Sequence, residues 1–204
     1  MGMKHSVKDI DQLYSDAKNM LDNVVTGTAD EVLSKLKSGI ENLKNTWKGQ
    51  DAGVNINNLV TVYNDLVGIR NDLGKLAVAS AGVAKLYKDI QISNGASASS
   101  YQSLSVGDKS KLDAYSDSSA GADIVPEAEN GKQNVDAAKD RFMNFVNESK
   151  SSYNKIMENW TEGGEERASA VQAFELFLKA AEGYINTMSS VSTKIANALE
   201  NYNF

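Results

Sequence analysis

Two tryptophans organise this chain. Trp47 and Trp160 each end an amphipathic stripe, each is followed within three residues by a glycine, and each glycine precedes a second stripe. Before Trp47, the residues Leu33, Leu36, Ile40 and Leu43 recur at alternating spacings of three and four, the seam of an α-helix packed on a partner helix. Before Trp160, the series Val135, Ala138, Phe142, Phe145, Ser149, Tyr153 and Ile156 does the same. With the tryptophans aligned, Leu43 falls on Ile156 and Ile40 on Tyr153. The plan helix, tryptophan, glycine turn, helix thus occurs twice, and self-similarity of this kind constrains the fold more than composition does.

The first stripe extends upstream through Ile10, Tyr14, Ala17, Leu21 and Val25, and predicts a helix over roughly 6–46 with Ser6 as N-cap. A bend is expected near Gly27, where Thr28 and Glu31 form a capping-box pattern. Gly49 and Gly53 then allow a reversal. A second stripe follows through Val62, Leu66, Ile69, Leu73, Leu76, Val83, Tyr87 and Ile90, with Ser80 in one slot. In the second half, Thr161-Glu162-Gly163-Gly164 makes the turn, and Val171, Phe174, Leu178, Ala181, Ile185, Met188, Ile195, Leu199 and Tyr202 form the last stripe. A hairpin with one apolar stripe per helix cannot cover both stripes well, whereas two hairpins make a four-helix bundle with a continuous core. The expectation is therefore all-α: two antiparallel helical hairpins, residues 1–91 and 132–204, packed as one bundle. Leu36, Ile40, Leu43, Leu66, Leu73, Phe142, Tyr153, Ile156, Phe174, Leu178 and Ile185 are its expected hairpin–hairpin core.

Between the hairpins, residues 92–131 read as a flexible acidic linker. The stretches 92–100 and 116–121 are small and polar, the only proline is Pro126, and at most a short helix is expected near 108–116. Helices of about 35 residues are roughly 50 Å long. About 40 extended residues can run that length with slack, as an antiparallel arrangement of the hairpins requires.

Composition excludes several classes. The chain has 204 residues, one proline, no cysteine and a formal net charge of −6. So few prolines suit long helices. The missing cysteines exclude a disulfide framework, a thiolate zinc site and a cysteine nucleophile. The acidic balance argues against nucleic acid as a partner. No window approaches the roughly 18 uninterrupted apolar residues of a membrane span, and Met1–Ser6 leads into no apolar stretch of signal-peptide type. Gly2 with Ser6 fits the short N-myristoylation pattern, and residues added ahead of Met3 account for Met1-Gly2 equally well.

Chemistry-bearing constellations are sparse. His5 is the one histidine, so the sequence offers no triad and no transition-metal site. Asp9, Asp11 and Asp16 read as the solvated face of a helix, and Glu162, Glu165 and Glu166 crowd the second turn, where negative charge suits a helix N-terminus. The glycines sit at turns or are dispersed, with no phosphate-cradling loop. The expectation is a non-enzymatic protein without metal or cofactor.

Trp47-Lys48-Gly49, about 40 residues after a helical start and at a hairpin turn, resembles the WXG-motif family of helical-hairpin proteins exported by type VII secretion systems. Trp160-Thr161-Glu162-Gly163 is similar, with one residue more between tryptophan and glycine. The resemblance covers both hairpins, so the chain looks like a tandem, single-chain form of that family's four-helix dimer. It implies export without a cleaved signal peptide and intramolecular pairing of the hairpins. The implied protein partners are the secretion ATPase and a larger type VII effector, with membrane contact only through that machinery. Trp47, Gly49, Trp160 and Gly163 are the implied recognition residues. One departure stands out: mycobacterial members carry a tyrosine with an acidic residue four positions later. Here Tyr87 is followed by Gln91, Tyr184 by Met188, and Tyr202 lies too near the end. That leaves a Gram-positive system with looser signals, or an accessory not itself exported. A free-standing relative of the LXG targeting domain of toxins is the alternative within the system, and a membrane-active helical toxin component the alternative outside it.

Overall fold

The computed structural model describes residues 5–117, 119 and 123–201. Met1–Lys4 with the Gly2 pattern, Ser118 and Ala120–Ala122 within the polar stretch, and Tyr202 lie outside the described residues. The architecture is all-α, with four long helical runs packed against each other and only short strands beside them. In chain order the elements are β1 (Ser6–Val7), α1 (Ile10–Asn19), a π-helical segment (Met20–Ala29), α2 (Asp30–Thr46), β2 (Trp47–Lys48), α3 (Gln50–Ser93), β3 (Asp123–Ile124), α4 (Ala128–Asn159), β4 (Trp160–Glu162) and α5 (Gly164–Asn201).

The first helical run departs from expectation at three points. Ser6 does not cap it, because its backbone is engaged in β1; Asp9 does, accepting the Gln12 N–H at 2.9 Å. Thr28 and Glu31 form no capping box, since the backbone remains helical through Ala29. Instead the Arg141 guanidinium donates to Thr28 Oγ1 at 3.0 Å and to Glu31 Oε2 at 2.7 Å. And the helix does not break at Gly27; it widens into π-helix across ten residues. The cause is legible in the doublets Met20-Leu21, Val24-Val25 and Thr28-Ala29, all buried. A strict repeat of four drifts off one face of a 3.6-residue helix, and i→i+5 turns bring it back. The Thr26 hydroxyl donates to the carbonyls of Leu21 and Asp22, both at 3.0 Å.

α3 runs 44 residues without a break. The reversal therefore rests on Gly49 alone, and Gly53 lies inside the helix. Its apolar residues extend well beyond the expected stripe: Ile56, Leu59, Val60, Tyr63, Val67, Ala77, Ala81 and Ala84 are buried as well. A helix that is apolar over most of its circumference is an interior helix. Val54 near its start and Leu86 and Ile90 near its end are exposed.

The residues fall into two compact units, each drawing on both tryptophan-centred halves. One comprises 1–27, 69–109 and 145–178; the other comprises 28–68, 110–144 and 179–204. The first unit is rich in rings: Tyr153 stacks on Phe174 at 4.1 Å, and Phe177 meets Phe145 at 5.5 Å and Phe174 at 5.7 Å. The second is aliphatic, built on Leu36, Ile40, Leu43, Ile56, Leu59 and Ile195, with Phe142 edge-on to Tyr184 at 6.1 Å. Of the expected core residues, Leu36, Ile40, Leu43, Leu66, Leu73, Phe142, Ile156 and Phe174 are buried, while Tyr153, Leu178 and Ile185 are half-buried.

Residues 96–117 contain no helix, within the expected limit of at most a short one near 108–116. The backbone there runs extended and is hydrogen-bonded to α3. α4 starts at Ala128, just past Pro126, whose missing N–H costs nothing ahead of a first helical turn.

Candidate functional site

Each unit contains one tryptophan turn, built in the same way. In the second unit, α2 ends as Trp47 turns extended, with φ −133° and ψ 121°. β2 pairs antiparallel with β3, Trp47 opposite Ile124 and Lys48 opposite Asp123, and Val125 N–H donates to Thr46 O at 3.0 Å. In the first unit, β4 pairs antiparallel with β1, Val7 opposite Trp160 and Ser6 opposite Glu162, and Lys8 N–H donates to Asn159 O at 2.8 Å. In both, a tryptophan that ends one half's helix is bridged to the two residues that lead into the other half's first helix.

Both indoles are buried, Trp47 at 4% exposure and Trp160 at 0%. They are keystones of the turns, and the surface a partner could touch is supplied by their neighbours: Lys48 is half-buried, and Thr161 and Glu162 are exposed. The glycines serve different needs. Gly49 has φ 103°, a left-handed conformation that side chains resist, and its N–H donates to the Asp117 carboxylate at 3.1 Å. Gly163 is needed for space: a Cβ there would lie 2.5 Å from Trp160 Cε2 and 2.6 Å from Cζ2. The positive φ of this second turn falls on Gly164, at 55°. Arg167 Nε donates to Trp160 O at 2.6 Å, fastening the start of α5 to the turn.

The Asp117 carboxyl is held below its ordinary value of 3.8 by the Ser119 backbone N–H, by the Ser119 side chain and by the Gly49 N–H. His5 lies beside Trp160, ring centroids 6.0 Å apart, and the Tyr87 hydroxyl donates to its carbonyl. No sequence pattern pointed to either neighbour, because both are long-range pairings.

The strap of residues 96–117 was missed for another reason. Asn57, Asn64 and Asn71 stand seven apart on α3. In the second unit, Asn64 accepts the Leu112 N–H at 2.7 Å and donates to Leu112 O at 2.9 Å, and Asn57 accepts the Tyr115 N–H at 3.2 Å. Seven helical residues advance about 10.5 Å and three extended residues about 10 Å, so asparagines at this spacing meet every third strap residue. In the first unit, Asn71 accepts the Lys109 N–H at 3.0 Å and donates to Lys109 O at 3.2 Å, while Arg70 donates to Gly107 O at 2.5 Å. Further along, Tyr101 stacks on Tyr14 at 4.0 Å, and Tyr14 Oη donates to Gln102 O at 2.9 Å. The signal was the heptad spacing of amides on one helix face.

Against this geometry, comparison with known proteins is silent. No family profile, no curated protein and no solved structure matches the chain.

Among the described residues, no group of three or more histidine, cysteine, aspartate or glutamate side chains is placed to hold a metal ion. No helix among them is long and apolar enough to cross a membrane. What the two turns present chemically is polar backbone and a few charges around buried indoles.

Proposed function

We propose that this chain is a non-enzymatic protein of a type VII secretion pathway, a substrate or a small companion of a larger effector, carrying both members of a WXG-like hairpin pair on one polypeptide. The observation that supports it is the matched construction of the two tryptophan turns, each bridged to the lead-in of the opposite half. That juxtaposition creates two composite ends from two halves, as a recognition surface shared between paired hairpins requires. In this reading, the secretion ATPase touches residues flanking an indole, the exposed Thr161 and Glu162 at one turn and the half-buried Lys48 at the other, while Trp47, Gly49, Trp160 and Gly163 hold the surface in shape. The protein in this reading leaves the cytoplasm through that pathway and needs no cofactor.

The test is export. The protein should accumulate in culture supernatant and be lost from it when the secretion ATPase is deleted. Glu162→Arg, at an exposed position, should lower export severalfold with the circular dichroism unchanged. Equal release with and without the ATPase would refute the proposal.

A further inference from the structure

In the first unit, residues of α3 and α5 line a cavity of about 470 Å³. Leu73, Leu76, Phe174 and Phe177 are among its walls, and Trp160 lines it too. The α5 wall is also lined by Ser169, Ala170 and Ala173, small enough for another backbone to approach. The apolar surface continues outward from this cavity. On α3, Leu86 and Ile90 follow Ala79 at helical spacing and are 53% and 47% exposed; on α5, Leu176 lies seven residues beyond Ser169 and is 59% exposed. From Ile69 to Ile90 the face is about 30 Å long.

Its charges are asymmetric. Asp72, Lys75 and Glu166 line the rim, Asp72 paired with Lys75 at 3.8 Å, and the exposed Glu162 and Glu165 stand in the adjoining turn with the half-buried Arg167, so the rim keeps an acidic excess. The Trp160 indole N–H is buried without a hydrogen-bond partner. A contiguous apolar face of this extent marks an interaction site on a folded protein.

We propose that this face receives an amphipathic helix from a protein partner, its Leu/Ile/Phe ridge seated between α3 and α5 and its Lys/Arg residues over Asp72, Glu165 and Glu166. A helix laid in a groove is read by apolar anchors at i, i+3, i+4 and i+7, and a groove of this length takes about five turns. The acidic rim sets orientation and rejects acidic helices. The proposal goes beyond the secretion reading, since binding in vitro and ATPase-dependent export are separate readouts and either can fail alone.

The probe is a synthetic 20-residue helix with a leucine ridge and lysine/arginine flanks, titrated calorimetrically into the full chain, alongside an isomer with glutamate flanks. The basic peptide should bind at least tenfold more tightly than the acidic one. Ala173→Trp, which fills the groove, should weaken it at least tenfold. The double variant Asp72→Lys/Glu166→Lys, at exposed positions that leave the core alone, should reverse the preference. Equal binding of both peptides, or binding untouched by the charge reversal, would overturn the proposal. So would native protein that sediments as a dimer broken by Ala173→Trp, or that binds anionic vesicles in preference to the basic peptide.

Discussion

The two tryptophan turns do one job with different materials. At Trp47 the glycine supplies a backbone angle, and a carboxylate from the strap holds its N–H. At Trp160 the glycine supplies space under the indole, the next residue takes the unusual angle, and an arginine on α5 holds the carbonyl. The extra residue between Trp160 and its glycine is thus accommodated by dividing two duties between Gly163 and Gly164. A motif can keep its architecture while the reason for each residue changes.

The largest effect should separate the glycines. Gly163→Ala drives a methyl into a fully buried ring, and such overpacking should cost about 3 kcal/mol. Urea unfolding followed by tryptophan fluorescence measures it; a loss under about 1 kcal/mol would mean the indole shifts freely and the two turns are alike. Gly49→Ala should cost about 1–2 kcal/mol, the strain of a left-handed alanine. The reverse order of these two variants would break the comparison.

Asn64→Ala removes a two-bond clamp and should cost about 1–2 kcal/mol, and Asn57→Ala, with one bond to the strap, about half of that. Limited proteolysis between 96 and 117 should quicken in the same order.

The smallest effect is that of pH. Because the folded state lowers the Asp117 pKa, the stabilisation is present above its ordinary 3.8 and fades as pH falls through the lowered value. Between about pH 5 and 2, thermal unfolding of Asp117→Asn should depend less on pH than that of the parent chain.

Much of the fold was legible because periodicity reports burial directly. Leu36, Ile40 and Leu43 before one tryptophan, and Phe142 and Ile156 before the other, lie where their spacing put them. Apart from the π-helical stretch, whose cause is local, the departures at the helix starts depend on pairings distant in sequence. Ser6 reads as a cap until its backbone meets Glu162, and Thr28 reads as a restart until Arg141 reaches it. The tryptophans and glycines of the candidate site were visible, but whether a glycine is needed for angle or for space depends on where the ring beside it lies.

Asn57, Asn64 and Asn71 grip the strap by its peptide groups. At those three grips the strap's own letters are free to drift, as a rope may change its fibre while the cleats keep their places. Relatives of this chain would be better sought by amides repeating at sevens along a long helix than by any likeness in the segment they moor.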